Sequence, residues 1–112
     1  MNDGMEITRS ILKERRTLAE KGIVFVSIDF HPESFRFISE PEIVTFGLVK
    51  EDIDQFMVDE LHHRLKEWVE DYSLLFDSGK AREDFDEFLR IHVRRFYFKQ
   101  LNKKPIVKII HS

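Results

Sequence analysis

The sequence has no cysteine among its 112 residues, which excludes thiolate catalysis, cysteine metal sites and a disulfide framework. It has only four glycines and contains neither a glycine-rich phosphate loop nor a Gly-x-Ser-x-Gly nucleophile motif. Carboxylates are abundant, but they cluster where helices are expected to begin, in EDID at 51–54 and REDFDE at 82–87. The helix dipole accounts for acidic residues at such positions. We therefore assign no residue to catalysis and expect no enzyme activity from this chain alone.

Long hydrophobic runs are also missing. The first thirty residues hold no apolar core of the signal-peptide type, and no stretch approaches the roughly 18 apolar residues that a membrane-spanning helix requires. The absence of cysteine fits a reducing compartment. We therefore expect a soluble, cytoplasmic protein that makes no membrane contact.

The residues that are present indicate one globular domain over 1–112. Hydrophobic side chains make up 42% and charged side chains 35%, and eleven phenylalanines provide bulk for a core. Residues 1–78 carry nine basic and seventeen acidic side chains, whereas residues 79–112 carry nine basic and four acidic ones. This asymmetry leaves three explanations open: head-to-tail association, a nucleic-acid surface, or pairing between the two halves after folding.

The first half of the chain predicts a short helix followed by strands. Apolar residues at helical spacing predict a lead-in helix within 1–21, and Gly22 favours its end. Residues 23–30 are apolar enough for a central strand covered on both faces. A turn at 31–34 then predicts a hairpin with 35–39. Residues 43–49 are either a further short strand or an extended approach to the next helix.

The second half predicts two helices and a final strand. An apolar stripe with steps of three and four runs from Ile53 to Tyr72, and a second one runs from Phe85 to Phe96 after a turn near 77–79. Pro105 stops the second helix, and 106–110 then predicts a strand. The predicted fold is α+β: a small three-stranded sheet, or one with a fourth short strand, covered on one face by an antiparallel pair of helices and preceded by a short N-terminal helix.

The five histidines predict no metal site, because no two of them have the i, i+4 spacing of paired ligands on one helix face. His63 precedes Glu67 by four residues, a pair that fits a solvated helix face better than a cation site. His92 lies on the apolar stripe, where a core-edge histidine with a backbone partner is expected. We therefore expect neither metal nor cofactor in this chain.

A basic set near the C-terminus is one candidate for function. Its residues recur over successive helical turns near Tyr97 and Phe98, a pattern that suits RNA phosphates, although charge runs more often solvate a face. The possible RNA contacts are Arg90, Arg94, Arg95, Lys99, Lys103 and Lys104.

Self-association is the competing candidate. The sequence has more aromatic residues than the core of two helices and a small sheet needs, so some of Phe46, Tyr97 and Phe98 could lie at a subunit contact. An open sheet also presents an edge that pairs with copies of itself unless it is covered. The possible self-association residues are Phe46, Leu48, Ile106, Val107 and Ile109.

Three segments resemble the C-terminal region of the ribonuclease J family. Asp3-Gly4 followed by ILKERRTLAEKGIVFVSIDF (11–30) resembles its charged helix and apolar strand, with Arg15, Arg16, Leu18 and Gly22 in step. PEIVTFGLV (41–49) resembles the segment that follows. FKQLNKKPIVKII (98–110) resembles its basic pair, proline and terminal apolar strand.

This resemblance implies a part of a larger nuclease. Family members are metal-dependent RNA endonucleases and 5′-exonucleases of the metallo-β-lactamase superfamily, and their two zinc-type ions are held by a His-x-His-x-Asp-His motif that this chain does not contain. The ions are therefore expected only in a catalytic domain outside this sequence. The resemblance implies an accessory domain for RNA processing that contributes to oligomerisation, either as a homo-oligomer or by contact with a nuclease core.

Overall fold

The computed structural model describes residues 21–31, 33 and 36–111, which form five strands and two long helices. The predicted lead-in helix before Lys21 lies outside the described residues. The elements are β1 (Ile23–Ile28), β2 (Phe30–His31), β3 (Arg36–Phe37), β4 (Glu42–Phe46), α1 (Glu51–Asp77), α2 (Phe85–Leu101) and β5 (Ile106–His111).

The main sheet has three strands in the order β4-β1-β5, so β1 is central as predicted. β4 runs antiparallel to β1, with Ile23 opposite Phe46, and β5 runs parallel to β1, with Ile23 opposite Ile106. The mixed sheet follows from chain order, because β4 returns along β1 after a short excursion while β5 arrives after both helices.

The predicted hairpin is present, but it is not part of the main sheet. β2 and β3 pair over two positions only and form a separate small ladder, whereas β4 pairs with β1 over five positions and is the third strand of the sheet. Part of the predicted 35–39 strand lies outside the described residues. The predicted 43–49 strand ends early, because Gly47 adopts a positive φ of 71° that breaks the extended chain.

Helices cover one face of the sheet, which we call the inner face. Val24, Val26 and Ile28 of β1 are almost fully buried there, together with Leu61 of α1 and Leu89 of α2. The alternation of buried and half-buried residues along β1 shows that its opposite side chains face away from this core. The expectation that β1 is covered on both faces is therefore not met by the described residues.

The two helices are an antiparallel pair. Tyr72 near the end of α1 contacts Phe85 and Phe88 at the start of α2, whereas Trp68, one turn earlier, contacts His92 and Phe96. The predicted stripe of α1 is buried from Met57 onward except for the half-buried Trp68, but Ile53 and Phe56 in its first turns are exposed. No helix in the described part of the chain is long and apolar enough to cross a membrane.

Local signals explain the limits of α2. The side chain of Asp84 accepts a hydrogen bond from the backbone N–H of Glu87 at 2.8 Å and caps the N-terminus. Asn102 adopts a left-handed conformation with φ 54° at the other end, and Pro105 follows. The chain then enters β5 beside β1.

Candidate interaction surfaces

The first surface is the outer sheet face, on the side of the sheet away from the helices. It consists of alternate residues of the three strands, which the register arranges in three rows: Phe46, Ile23 and Ile106; Val44, Phe25 and Lys108; and Glu42, Ser27 and Ile110. Phe46 is 59%, Val44 47% and Ile110 44% exposed. Phe25 and Phe46 meet edge to face with ring centroids 6.3 Å apart. The face is thus largely apolar and open among the described residues.

The predicted self-association residues divide between this surface and the core. Phe46 and Ile106 lie on the outer sheet face, whereas Ile109 is half-buried on the inner face. Leu48 and Val107 are buried in the core, each only 3% exposed, and have almost no surface to offer a partner.

Leu48 has a structural reason for its burial. A methyl group in place of a Gly22 hydrogen would lie 2.6 Å from Leu48 Cδ2, and Gly22 has a φ of 77°, so this close approach requires glycine.

Sequence reasoning missed Ile23, Phe25, Val44 and Ile110 as members of the outer sheet face. Period-two alternation was the signal that could have found them, since it places every second strand residue with Phe46 or Ile106.

The second surface is the edge groove, a cavity of about 610 Å³ along β5. It is lined by five cationic side chains and by the strand itself. Arg90 and Arg94 come from successive turns of α2, and Lys21 precedes β1. Arg90 pairs with Glu87 at 3.0 Å, and Lys104 Nζ lies 5.2 Å from the centroid of the Phe98 ring. The residues that line the edge groove are Lys21, Arg90, Arg94 and Lys104–Ile109.

The third surface is the interhelical groove, a cavity of about 350 Å³ between α1 and α2. The rings of Trp68 and His92 form part of its wall, with centroids 5.4 Å apart. His92 Nδ1 lies 2.8 Å from Phe88 O, which gives the backbone partner predicted for this histidine. The residues that line this groove are Arg64, Trp68, His92, Arg95, Phe96, Lys99 and Gln100.

The predicted basic set is therefore divided between surfaces. Arg90, Arg94 and Lys104 line the edge groove, and Arg95 and Lys99 line the interhelical groove, because adjacent arginines on a helix point about 100° apart. Lys103 belongs to neither cavity wall. Its ammonium donates a hydrogen bond to Leu48 O at 2.7 Å and ties the end of α2 to the segment after β4.

Two predicted surface aromatics behave differently. Phe98 is 43% exposed, whereas Tyr97 is fully buried. Burial, with a smaller contribution from Asp54, raises the pKa of the Tyr97 phenol well above its ordinary value.

A family model of the ribonuclease J C-terminal domain matches residues 10–112, nearly the whole chain. The chain belongs to this family. The match confirms the resemblance and identifies an accessory domain of ribonuclease J, since the family is a non-catalytic part of that nuclease. A comparison with curated proteins finds no match.

The histidines and carboxylates of this ribonuclease J C-terminal domain are dispersed. No group of three or more potential ligands converges on one point within residues 21–31, 33 and 36–111. His63 is exposed, and its neighbour Glu67 lies 3.5 Å from Arg64. His111 Nε2 instead lies 2.7 Å from Asp86 Oδ1, linking β5 to the first turn of α2. The Arg64–Glu67 contact lies within α1, whereas the His111–Asp86 contact joins two elements.

Proposed function

We propose that this accessory domain joins two copies of the chain through the outer sheet face. The supporting observation is the apolar character of that face: six of its nine residues are Ile, Val or Phe, and three of these are more than 40% exposed. Exposed apolar residues grouped in this way are typical of interaction sites rather than of free surface.

Charge placement favours a second copy as the occupant. Glu42 lies on β4 and Lys108 on β5, at opposite sides of the same face. A two-fold axis parallel to the strands would place β4 of each copy over β5 of the other. Glu42 of each copy would then approach Lys108 of the other copy. Such self-complementarity is what an isologous dimer requires.

Sedimentation equilibrium of the 112-residue chain at high micromolar concentration tests this proposal. The expected result is a dimer that Phe46→Asp converts to monomer, since a charge on the face opposes burial. Leu74→Asp is the matched control, because Leu74 is 70% exposed on α1 in the helical layer and should leave the dimer unchanged. A strict monomer would contradict self-association and would favour contact with a nuclease core.

A second candidate function is RNA binding in the interhelical groove. Trp68 and His92 provide flat rings on which a base can stack, and Arg95 and Lys99 lie beside them without an ion-pair partner in the described part of the chain. Aromatic rings flanked by cations are the usual means of binding single strands without sequence preference.

Intrinsic fluorescence tests this second function, because Trp68 is the only tryptophan in the sequence. Single-stranded oligouridine should quench its emission, and the apparent affinity should fall steeply between about 50 and 200 mM salt. The double variant Arg95→Glu, Lys99→Glu should abolish quenching, whereas Arg94→Glu, Lys104→Glu should retain it. Quenching that is absent at low salt would remove this candidate.

A further inference from the structure

The edge groove collects positive charge from separate parts of the chain. Lys21 precedes β1 and Lys104 precedes β5, whereas Arg90 and Arg94 lie on successive turns of α2. No carboxylate among the described residues lines this cavity. Arg90 contacts Glu87 at 3.0 Å, but the other three cations have no ion-pair partner within the described residues. A cavity lined by charges of one sign concentrates ions of the opposite sign.

Local contacts restrict two of these cations. Pro105 is fully buried, which fixes the backbone next to Lys104, and Lys104 Nζ lies 5.2 Å from the centroid of the Phe98 ring. Arg90 is held by its contact with Glu87 one turn earlier on the same helix. A side chain that is already restricted loses less conformational freedom when a ligand binds. Part of the cationic lining is therefore in place before an anion arrives.

The remaining wall of the edge groove determines which anion fits. It is formed by Pro105–Ile109, whose side chains are aliphatic except for Lys108, and no aromatic ring among the described residues lines it. A nucleobase would find no ring to stack on, whereas the interhelical groove provides Trp68 and His92. Arginine pairs with phosphate oxygens through two parallel hydrogen bonds. The volume of about 610 Å³ is typical of small-molecule sites, so the lining suits a compact phosphate ligand with several charges.

We propose that the edge groove binds a short phosphate chain, either free or as the tail of a nucleotide. The guanidinium groups of Arg90 and Arg94 pair with oxygens of neighbouring phosphate groups. The ammonium groups of Lys21 and Lys104 balance the rest of the negative charge. Lys108 also borders the cavity, but the register places it on the outer sheet face, and the site does not use it. The site is therefore independent of the proposed dimer.

Isothermal titration calorimetry of the intact 112-residue chain with sodium triphosphate tests the site. At about 50 mM salt we expect saturable binding of one ligand per chain, which weakens as the salt concentration is raised. Orthophosphate should bind at least about tenfold more weakly, because a single phosphate group cannot reach cations on several elements. Absent binding of triphosphate, or equal affinity for the two anions, would overturn the proposal.

Uridine triphosphate separates the two sources of the phosphate chain. An affinity within about threefold of that for triphosphate would mean that the chain alone is recognised, as the lack of a stacking ring in the edge groove favours. An affinity more than about tenfold higher would mean that the nucleoside also binds and that the ligand is a nucleotide. Both results support the phosphate site.

Matched neutralising variants locate the site. Arg94→Gln, Lys104→Gln should weaken triphosphate binding by about tenfold or more. Arg95→Gln, Lys99→Gln removes the same charge from the interhelical groove and should leave the affinity within about twofold. Equal losses in both variants would show a response to net charge alone and would overturn the proposal.

NMR mapping with the wild-type chain gives a readout that does not depend on any substitution. Triphosphate should shift the backbone amide signals of Lys104 and of Ile106–Ile109, and it should leave the indole signal of Trp68 in place. The reverse pattern would place the ligand in the interhelical groove and overturn the proposal. Displacement of triphosphate by oligouridine without terminal phosphates, at an equal concentration of phosphate groups, would also overturn it, in favour of an RNA site.

Discussion

At the scale of single residues, two buried tyrosines differ in whether the hydroxyl group has a hydrogen-bond partner. Tyr97 is fully buried, and its hydroxyl has no hydrogen-bond partner in the described part of the chain. Tyr72 is also buried, but its hydroxyl donates to Glu83 O at 3.1 Å, where the chain approaches α2. A buried polar group without a partner costs stability, whereas one with a partner contributes to it.

We expect Tyr97→Phe to leave the free energy of unfolding unchanged or to raise it by up to about 1 kcal/mol, because the ring stays and an unsatisfied hydroxyl is removed. Tyr72→Phe should lower that free energy by about 0.5–1.5 kcal/mol, because it leaves the Glu83 carbonyl without its donor. Urea denaturation of both variants measures the difference. A larger loss in Tyr97→Phe than in Tyr72→Phe would show that the Tyr97 hydroxyl does have a partner.

A pH effect is expected at Glu40. The Lys66 ammonium donates a hydrogen bond to Glu40 at 3.0 Å and, with its charge, holds the pKa of that carboxyl below its ordinary value of 4.5. Because the folded pKa is the lower one, the pair contributes stability above the unfolded pKa and loses it as the pH falls through the folded pKa. Lys66→Met should return the pKa of Glu40 toward 4.5 in an NMR titration, and Lys66→Arg should keep it low.

At the scale of elements, the two helices begin in different ways. α2 has a side-chain cap from Asp84, whereas α1 begins after Lys50, which makes no capping hydrogen bond. Asp84→Ala should therefore lower the free energy of unfolding by about 0.5–2 kcal/mol, and Lys50→Ala should change it little. Thermal unfolding followed by circular dichroism checks this pair, and equal effects would contradict the role of the cap.

The helices could be predicted from sequence because their signals are local. The stripe from Met57 to Tyr72 and the acidic start at Asp84 lie within a few turns of the residues that they organise. Strand partners are set by contacts between distant residues. The local turn at 31–34 therefore predicts 35–39 as the partner of β1, whereas the structure pairs β1 with β4. The basic residues form one group in the sequence, but helix geometry divides Arg94 from Arg95, and only the packing of α1 and β5 gives each arginine its own groove.

At the scale of the whole molecule, the structure has a covered and an uncovered side. The inner face holds the core between the sheet and the helices, whereas the outer sheet face is largely open among the described residues and would be buried only by a partner. If the partner is a second copy, the stability of the fold becomes linked to protein concentration by mass action.

We therefore expect the midpoint of thermal unfolding to rise with the concentration of the wild-type chain. In Phe46→Asp the midpoint should not depend on concentration, because that chain has no dimer to lose. Differential scanning calorimetry over a hundredfold dilution, about 1 to 100 μM, makes the comparison. A midpoint that is independent of concentration in the wild type would argue against the proposed dimer.

The parallel pairing of β1 with β5 has a consequence for how this polypeptide is made. Residues 29–105 separate the two strands, so during synthesis β1 leaves the ribosome long before its neighbour exists. Nascent chains can form the β1–β4 ladder early, but one side of β1 stays unpaired until translation has passed the second helix. Stalled or prematurely terminated products would therefore carry an exposed, strongly apolar strand and should depend on chaperones for their solubility.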